Sequence, residues 1–102
     1  MQIEILLSAE NDILNAITFY DKQSSGVGSY FLDTIMSDIE SLHIYAGIHV
    51  RIWGYHRLLS KRFPFSIYYT TEDDTVYIYA ILDNRREPLF AKERLVTAGN
   101  QI

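Results

Sequence analysis

The sequence predicts an α+β domain of two layers, in which a helical hairpin packs on a four- or five-stranded, mainly antiparallel sheet. Two patterns lead to this prediction. Apolar residues in the first half recur at helical spacing, and from about residue 55 the apolar period changes to two, as in strands. The length of 102 residues fits one domain, residues 1–102, because so short a chain can bury only one core.

One strand and two helices are expected in the first half. Residues 2–7 alternate between apolar and polar, which indicates a half-buried strand. Ser8 stands where a helix N-cap is expected. The first helix should end near residues 24–26, because Gly26 permits a left-handed turn. A second helix is predicted over residues 27–45, and its buried stripe consists of Phe31, Ile35, Ile39 and Leu42.

The second half predicts an antiparallel meander. Residues 46–53 are read as a loop or a short edge strand, and strands follow over residues 55–62 and 63–71. Residues 72–75 are predicted to form a hairpin turn, because short polar side chains favour turns. The next strand alternates, and its apolar face is predicted to hold Val76, Ile78, Ala80 and Leu82.

The last helix is predicted to begin near Pro88, since proline is favoured at the first helical position. Residues 97–102 are expected to be a frayed tail. The helical hairpin can cover only one face of the sheet, so the other face is predicted to be open to solvent or to a partner. Three tyrosines should project from that open face, namely Tyr68, Tyr77 and Tyr79.

Composition and charge exclude several classes of function. No cysteine is present, which excludes disulfides, thiolate catalysis and cysteine-based zinc sites, and suits the cytoplasm. The N-terminus has no basic segment, and no apolar stretch approaches the ~20 residues of a membrane span. The first 50 residues carry seven acids and one lysine, and the rest carry eight basic and six acidic residues. Because the net charge is −4, any contact with nucleic acid must be local.

Basic residues collect around the predicted meander. Arg57 and Lys61 are four apart in a predicted strand and should share a face. Cations beside exposed tyrosines suit phosphate contacts with base stacking, and they suit protein hot spots equally well. The residues leave both interpretations open, beside a plain polar sheet face. The candidates for target binding are Arg57, Lys61, Arg62, Tyr68, Tyr79, Arg85 and Arg86.

His56 is the histidine best placed for chemistry, because it precedes Arg57 in a strand rich in cations. Such a histidine could exchange protons with a phosphodiester, and the simpler interpretation is a surface residue at a strand start. For an enzyme, the catalytic candidates are His56, Arg57, Lys61, Arg85 and Arg86. No metal or cofactor is expected, since His43 and His49 have no carboxylate at ligand spacing and no glycine-rich phosphate loop is present.

Three stretches of the sequence resemble toxins of the ParE/RelE kind, the plasmid stabilisation family. Residues 54–69 (GYHRLLSKRFPFSIYY) are similar to the central signature of the family, and residues 80–88 (AILDNRREP) to its last strand. Residues 9–31 resemble the helical hairpin, with Tyr20, Gly26 and Gly28 before Phe31. The resemblance extends over about residues 3–95 and implies a two-layer RelE-like fold.

The resemblance implies the toxin of a type II toxin–antitoxin system, silenced by an antitoxin whose C-terminal segment wraps it in a hetero-oligomer. RelE-like members cut mRNA on the ribosome, whereas ParE-like members are associated with poisoning of DNA gyrase. Where such nucleases have a tyrosine near the last helix, this chain has Leu89 or Phe90, and it has Ser66 where they tend to have arginine. The resemblance is therefore nearer to ParE and favours gyrase as the target.

Two alternatives stay open beside the gyrase hypothesis. One is a RelE-like, ribosome-dependent mRNA endoribonuclease that uses the cations named above. The other is a non-toxic relic that retains only antitoxin binding, which the acidic isoelectric point of about 5.2 keeps open because basic proteins are usual in this superfamily.

Overall fold

A computed structural model describes residues 1–98, which form five strands and four helices. In chain order these are β1 (Gln2–Ile5), α1 (Leu7–Gln23), α2 (Val27–Glu40), α3 (Leu42–Tyr45), β2 (Arg51–Ile52), β3 (Tyr55–Leu59), β4 (Phe65–Glu72), β5 (Thr75–Asp83) and α4 (Pro88–Ala98). The strands form one sheet in the order β1-β5-β4-β3-β2. The β1–β5 pair is parallel and the other pairs are antiparallel. The predicted α+β architecture is confirmed, with the short edge strand present as β2.

The helical hairpin is closed by a glycine turn and by one carboxylate. Gly26 has a φ of 91°, the left-handed conformation that glycine adopts without strain. The backbone N–H of Gly28, in the first turn of α2, donates to Asp21 Oδ1 at 2.8 Å. A Cβ at position 28 would lie 2.7 Å from the backbone carbonyl oxygen of Ile17 in α1, so the close approach of the two helices requires glycine there.

The predicted second helix is divided in two. Its buried stripe is confirmed, since Phe31, Ile35, Ile39 and Leu42 are all at most 2% exposed. However, α2 ends at Glu40 and α3 is a separate short helix. The hydroxyl of Ser41 donates to the Asp38 carbonyl at 2.6 Å, which is the kind of local hydrogen bond by which serine competes with helix continuation.

Ser8 does not cap the first helix, so that prediction is wrong. The N–H of Leu6 donates to the Ile78 carbonyl at 3.0 Å, and the chain passes from β1 directly into α1, which starts at Leu7. Ser8 therefore lies inside the helix and faces the sheet. Its hydroxyl donates to the Tyr79 carbonyl at 2.8 Å, and it satisfies an acceptor on β5 instead of a helix terminus.

A β-bulge interrupts the pairing of β4 with β5. Tyr68 pairs with Ala80, but the next residue of β4, Tyr69, pairs with Ile78. Tyr79 is therefore the extra residue on β5, and such a residue shifts the alternation of the side chains that follow it.

The bulge overturns the predicted inner face of β5. Val76 and Ile78 pack in the core beneath the helical hairpin, as expected, but Ile81 joins them there. Ala80 and Leu82 lie in a second apolar cluster on the opposite face of the sheet. A strict period of two fails here because it does not count the bulged residue.

The second face of the sheet is not open, and this corrects the expectation that only solvent or a partner would cover it. Helix α4 packs there, with Leu95 fully buried and the Tyr55 hydroxyl donating to the Leu95 carbonyl at 2.8 Å. Tyr68 and Tyr79 are only 4% and 7% exposed. They are parts of a small second core, so the predicted row of exposed tyrosines does not exist.

Most of the tail predicted over residues 97–102 lies outside the described residues, so that expectation stays a prediction. Residues 97 and 98 belong to α4, and residues 99–102 lie outside the described part of the chain. Across the described ranges, no helix has the length and apolar character needed to cross a membrane.

Candidate functional site

A groove of about 400 Å³ lies where the start of α4 meets the sheet face opposite the helical hairpin. Tyr68 and Leu82 are nearly inaccessible at its floor, and Trp53 is 37% exposed beside it. We call this feature the arginine groove, because two of the predicted cations line it. Its full lining is Ile52, Trp53, Arg57, Leu59, Tyr68, Leu82, Asp83, Asn84, Arg86, Pro88 and Ala91.

Arg57 enters the groove from β3. It pairs with Tyr68 of β4, and side chains of paired residues project to the same face. The residue is half-buried, and within residues 1–98 no carboxylate lies close enough to form an ion pair with it. Its charge is therefore available to an anion that enters the groove.

Arg86 enters the groove from the loop before α4. Its guanidinium carbon lies 3.8 Å from the centroid of the Phe90 ring, a cation–π contact that holds the side chain against the helix. The residue is exposed and forms no ion pair with the described carboxylates. Arg57 and Arg86 thus line one groove, and neither forms an ion pair with the described carboxylates. Arg86 also lines a neighbouring cavity with Phe90, and its charge helps to lower the pKa of nearby Asp83.

Arg85, unlike Arg86, forms an ion pair with a described carboxylate. Its Nε and Nη2 donate to the two carboxylate oxygens of Asp83 at 2.9 and 2.6 Å. The hydrogen bond from Arg85 lowers the pKa of Asp83, and the same contact, with a smaller contribution from Tyr20 in α1, raises the pKa of Arg85. Arg85 and Arg86 were predicted as one site, but only Arg86 lines the groove, and Arg85 neutralises the acid beside it.

Lys61 and Arg62 lie elsewhere, and the prediction that Arg57 and Lys61 share a strand face is wrong. β3 ends at Leu59, so the chain has left the sheet before it reaches Lys61. Lys61 and Arg62 line a separate pocket of about 280 Å³ against α2. Arg62 Nη1 donates to the Tyr30 hydroxyl at 3.3 Å, and neither residue lines the arginine groove.

His56 lies on the opposite face of the sheet from Arg57. It pairs with Tyr69, which belongs to the core beneath the helical hairpin, and its ring stacks on that tyrosine with centroids 5.1 Å apart. His56 Nδ1 is 2.7 Å from the carbonyl oxygen of His49, so this nitrogen carries the proton and donates it. The structure separates His56 from both groove arginines.

Sequence reasoning missed the network around Tyr69. The fully buried Tyr69 hydroxyl accepts from the Gly47 N–H at 2.9 Å and is hydrogen-bonded to His49 Nδ1. Burial raises the pKa of Tyr69, and burial together with nearby His56 lowers the pKa of His49. These bonds hold the loop before β2 to the sheet, and this loop shows no periodicity from which the contact could be predicted.

Sequence reasoning also missed Trp53. It forms the two-residue turn between β2 and β3 with Gly54, and their φ values of 53° and 86° are those of a type I′ turn. Asparagine or glycine is usual at such positions. A bulky residue there is rare and costs on the order of 1–3 kcal/mol. The only signal in the sequence was the Trp-Gly dipeptide before a strand.

The groove is better equipped to bind anions than to transfer protons. Apart from the arginines, its titratable lining residues are Tyr68, which is 4% exposed, and Asp83, which forms an ion pair with Arg85. Ser66 is fully buried, and its hydroxyl donates to Asn84 Oδ1 at 2.5 Å. This residue therefore adds no positive charge to the groove. In the described part of the chain, no cluster of three or more His, Asp or Glu could hold a metal ion.

Comparison with known proteins supports the fold. No protein-family model matches the chain, and no curated protein sequence matches it. A chain in the solved structure of the chromosomal ParDE TA (toxin–antitoxin) system from P. aeruginosa has the same fold, with a TM-score of 0.72 and 19% sequence identity. The alignment covers 79% of this chain and 92% of that chain. The expected ParE/RelE-like fold is thereby confirmed.

Proposed function

We propose that this protein is the toxin of a type II toxin–antitoxin system, ParE-like in action, which inhibits growth by binding DNA gyrase and is neutralised by a cognate antitoxin. The observation that carries the proposal is the fold, shared at a TM-score of 0.72 with a chain of a ParDE toxin–antitoxin system. The residue resemblance over about residues 3–95 points to the same system. The acting unit is the single domain of residues 1–102, working in the cytoplasm where gyrase and its DNA are found.

The arginine groove supports action by binding. Arg57 and Arg86 bring two unpaired charges to an apolar floor, whereas a general acid or base would need a titratable group facing the same space. His56, the main candidate for that role, lies on the other face of the sheet. A guanidinium group can hold a carboxylate or a phosphate through paired hydrogen bonds, which suits recognition of a macromolecular target.

A ribosome-dependent mRNA endoribonuclease is the second candidate. One observation favours it: Arg57, Arg86 and the Tyr68 phenol lie in one groove, and cations beside a phenol could stabilise a phosphodiester under attack. The near-complete burial of Tyr68 weighs against proton transfer by its hydroxyl. If the protein is an endoribonuclease of this kind, the same groove would hold RNA instead of gyrase.

Exposed apolar side chains support a protein partner such as an antitoxin. Leu7 and Leu14 lie two turns apart on one face of α1 and are 68% and 61% exposed. Further along the chain, Ile44, Ile48 and Val50 are each more than 70% exposed. Large exposed apolar surfaces usually mark interaction sites, and a wrapping antitoxin segment in a hetero-oligomer would cover side chains such as these.

Induction of the protein in growing cells tests the proposal. DNA synthesis and mRNA integrity should be followed in parallel from the first minutes, with and without the neighbouring small gene product as antitoxin. An early defect in DNA synthesis that the antitoxin prevents supports the gyrase hypothesis. Early mRNA cleavage supports the endoribonuclease, and unimpaired growth at high expression would identify a non-toxic relic.

A further inference from the structure

The only tryptophan of the chain borders the arginine groove. Trp53 is held there by a turn in which its φ is 53°, a conformation that disfavours bulky side chains. Arg51 Nη2 donates to the Gly54 carbonyl at 3.2 Å and braces the same turn. Strain of this kind persists where surrounding structure fixes it, and it is concentrated at functional sites.

The groove has the opposite charge to the protein. The chain carries a net charge of −4, yet Arg57 and Arg86 are unpaired with the described carboxylates, and Asp83 is already neutralised by Arg85. Trp53 adds a large aromatic surface beside them. Tryptophan and arginine are the residues most enriched in the hot spots of protein interfaces, and here they lie together over an apolar floor.

We propose that the arginine groove is a docking site for an acidic, apolar segment of the target protein. In this arrangement carboxylates of the segment contact Arg57 and Arg86, and an apolar side chain packs against Trp53. The inference rests on the proposed function, since it names the part of a target that the toxin would recognise. Charge complementarity between a positive groove and an acidic segment is the argument for this occupant.

A peptide fits the groove better than a nucleic acid does. A nucleic-acid strand is usually bound through many cations along its backbone and through several stacking aromatic rings. The groove has two unpaired cations, and most of the remaining lining is aliphatic, from Ile52, Leu59, Leu82, Pro88 and Ala91. The negative charge of the rest of the chain would repel a longer polyanion. Its volume of about 400 Å³ lies within the range of ordinary ligand sites.

Tryptophan fluorescence offers a direct test, because Trp53 is the sole tryptophan. The full chain, made by cell-free synthesis, is titrated with an acetylated hexapeptide of alternating leucine and glutamate. We expect a saturable change in the emission of Trp53. The same peptide with glutamine in place of glutamate should bind about tenfold more weakly, as expected for loss of charged hydrogen bonds.

Three variants locate the binding. Arg57→Gln and Arg86→Gln should each weaken binding of the acidic peptide by about tenfold. Arg62→Gln, the matched control, should change it by no more than about twofold, because Arg62 lines a separate pocket against α2. Thermal melts confirm that each variant is folded. For any variant that is not, the corresponding lysine substitution, which keeps the charge, is compared with wild type.

Several results would overturn the inference. These are the absence of a saturable emission change, equal affinity for the glutamate and glutamine peptides, or equal loss in all three arginine variants. Tighter binding of a hexauridylate RNA with the same dependence on Arg57 and Arg86 would replace the peptide by a nucleic acid. If the peptide fails to bind while induced protein still blocks DNA synthesis, the docking inference fails alone. Peptide binding without any growth effect refutes the proposed function instead.

Discussion

Asp12 of α1 and Arg94 of α4 form a bidentate ion pair, in which both nitrogen–oxygen distances are 2.9 Å. Asp12 Oδ2 also accepts from the Ile81 N–H of β5 at 3.0 Å. The paired residues of β1 reach only to Ile78 on β5, so this N–H lies at an uncovered sheet edge. One carboxylate therefore joins helices on the two faces of the sheet and satisfies a backbone donor between them.

Replacement of Asp12 by alanine should destabilise the fold by about 2 kcal/mol, because Arg94 loses its partner and the Ile81 N–H loses its acceptor. Urea denaturation measures the change. Glu10→Ala, an exposed acid of the same helix, is the control and should change the free energy of unfolding by less than about 0.5 kcal/mol. In a double-mutant cycle with Arg94→Ala the two losses should not add. Full additivity would show that the two side chains do not interact.

Acidification should destabilise the protein through His49. Burial lowers the pKa of His49 below 6.5, so between the folded and the unfolded pKa the unfolded chain binds more protons. The stability that depends on neutral His49 is therefore present above pH ~6.5 and is lost as the pH falls below it. Denaturation midpoints between about pH 7.5 and 5.5 measure the slope.

One variant assigns that slope. His49→Gln should flatten the dependence of unfolding free energy on pH, because glutamine does not titrate. A slope that persists in His49→Gln would show that another group is responsible.

Arg85 and Arg86 should behave differently although they are adjacent. Arg85→Ala removes an exposed ion pair with Asp83, so it should lower stability by at most about 1 kcal/mol. It should weaken toxicity only in part, because both groove arginines remain while the Asp83 carboxylate in the groove lining loses its neutralising partner. Asp83→Ala should lower stability by a similar amount and leave toxicity intact, because it removes the acid from the groove lining. Arg86→Ala should leave the melting temperature nearly unchanged and weaken toxicity strongly, because an unpaired groove cation is lost. Toxicity is measured as colony formation after induction, and equal effects of Arg85→Ala and Arg86→Ala would contradict the separation of the two side chains.

Trp53→Asn should separate stability from function. Asparagine tolerates the left-handed conformation, so relief of strain should offset the lost packing and leave the free energy of unfolding within about 1 kcal/mol of wild type. Toxicity should nevertheless fall, since the aromatic surface beside the groove is lost. A variant that is clearly unfolded at 37 °C, or one that is stable and fully toxic, would show that Trp53 serves only the turn.

Periodicity was sufficient to predict most of the fold. The stripe through Phe31, Ile35 and Ile39 repeats at helical spacing, and a stripe of this kind has one stable location, against the sheet. The bulge at Tyr79 could not be predicted in this way, because an extra residue in a strand leaves no local mark in an apolar run. Its consequence was large, since it placed Leu82 and Ala80 on the face that α4 covers.

The candidate site was predicted in part. Arg57 and Arg86 were both among the candidates, and they do meet in one groove. Lys61 was misplaced because a strand was extended beyond its true end at Leu59. Trp53 was missed because its importance lies in a backbone angle and in tertiary position, and a single sequence encodes neither in a recognisable pattern.

A supercoiling assay with purified gyrase and relaxed plasmid tests most directly the proposal that the chain acts on gyrase through the arginine groove. The full chain should inhibit supercoiling and trap gyrase-cleaved DNA. Arg62→Ala, in a separate pocket, should inhibit as well as wild type, and the double variant Arg57→Ala/Arg86→Ala should lose inhibition by about tenfold or more. Unimpaired supercoiling at a large excess of folded wild-type protein, or full inhibition by the double variant, would contradict the account.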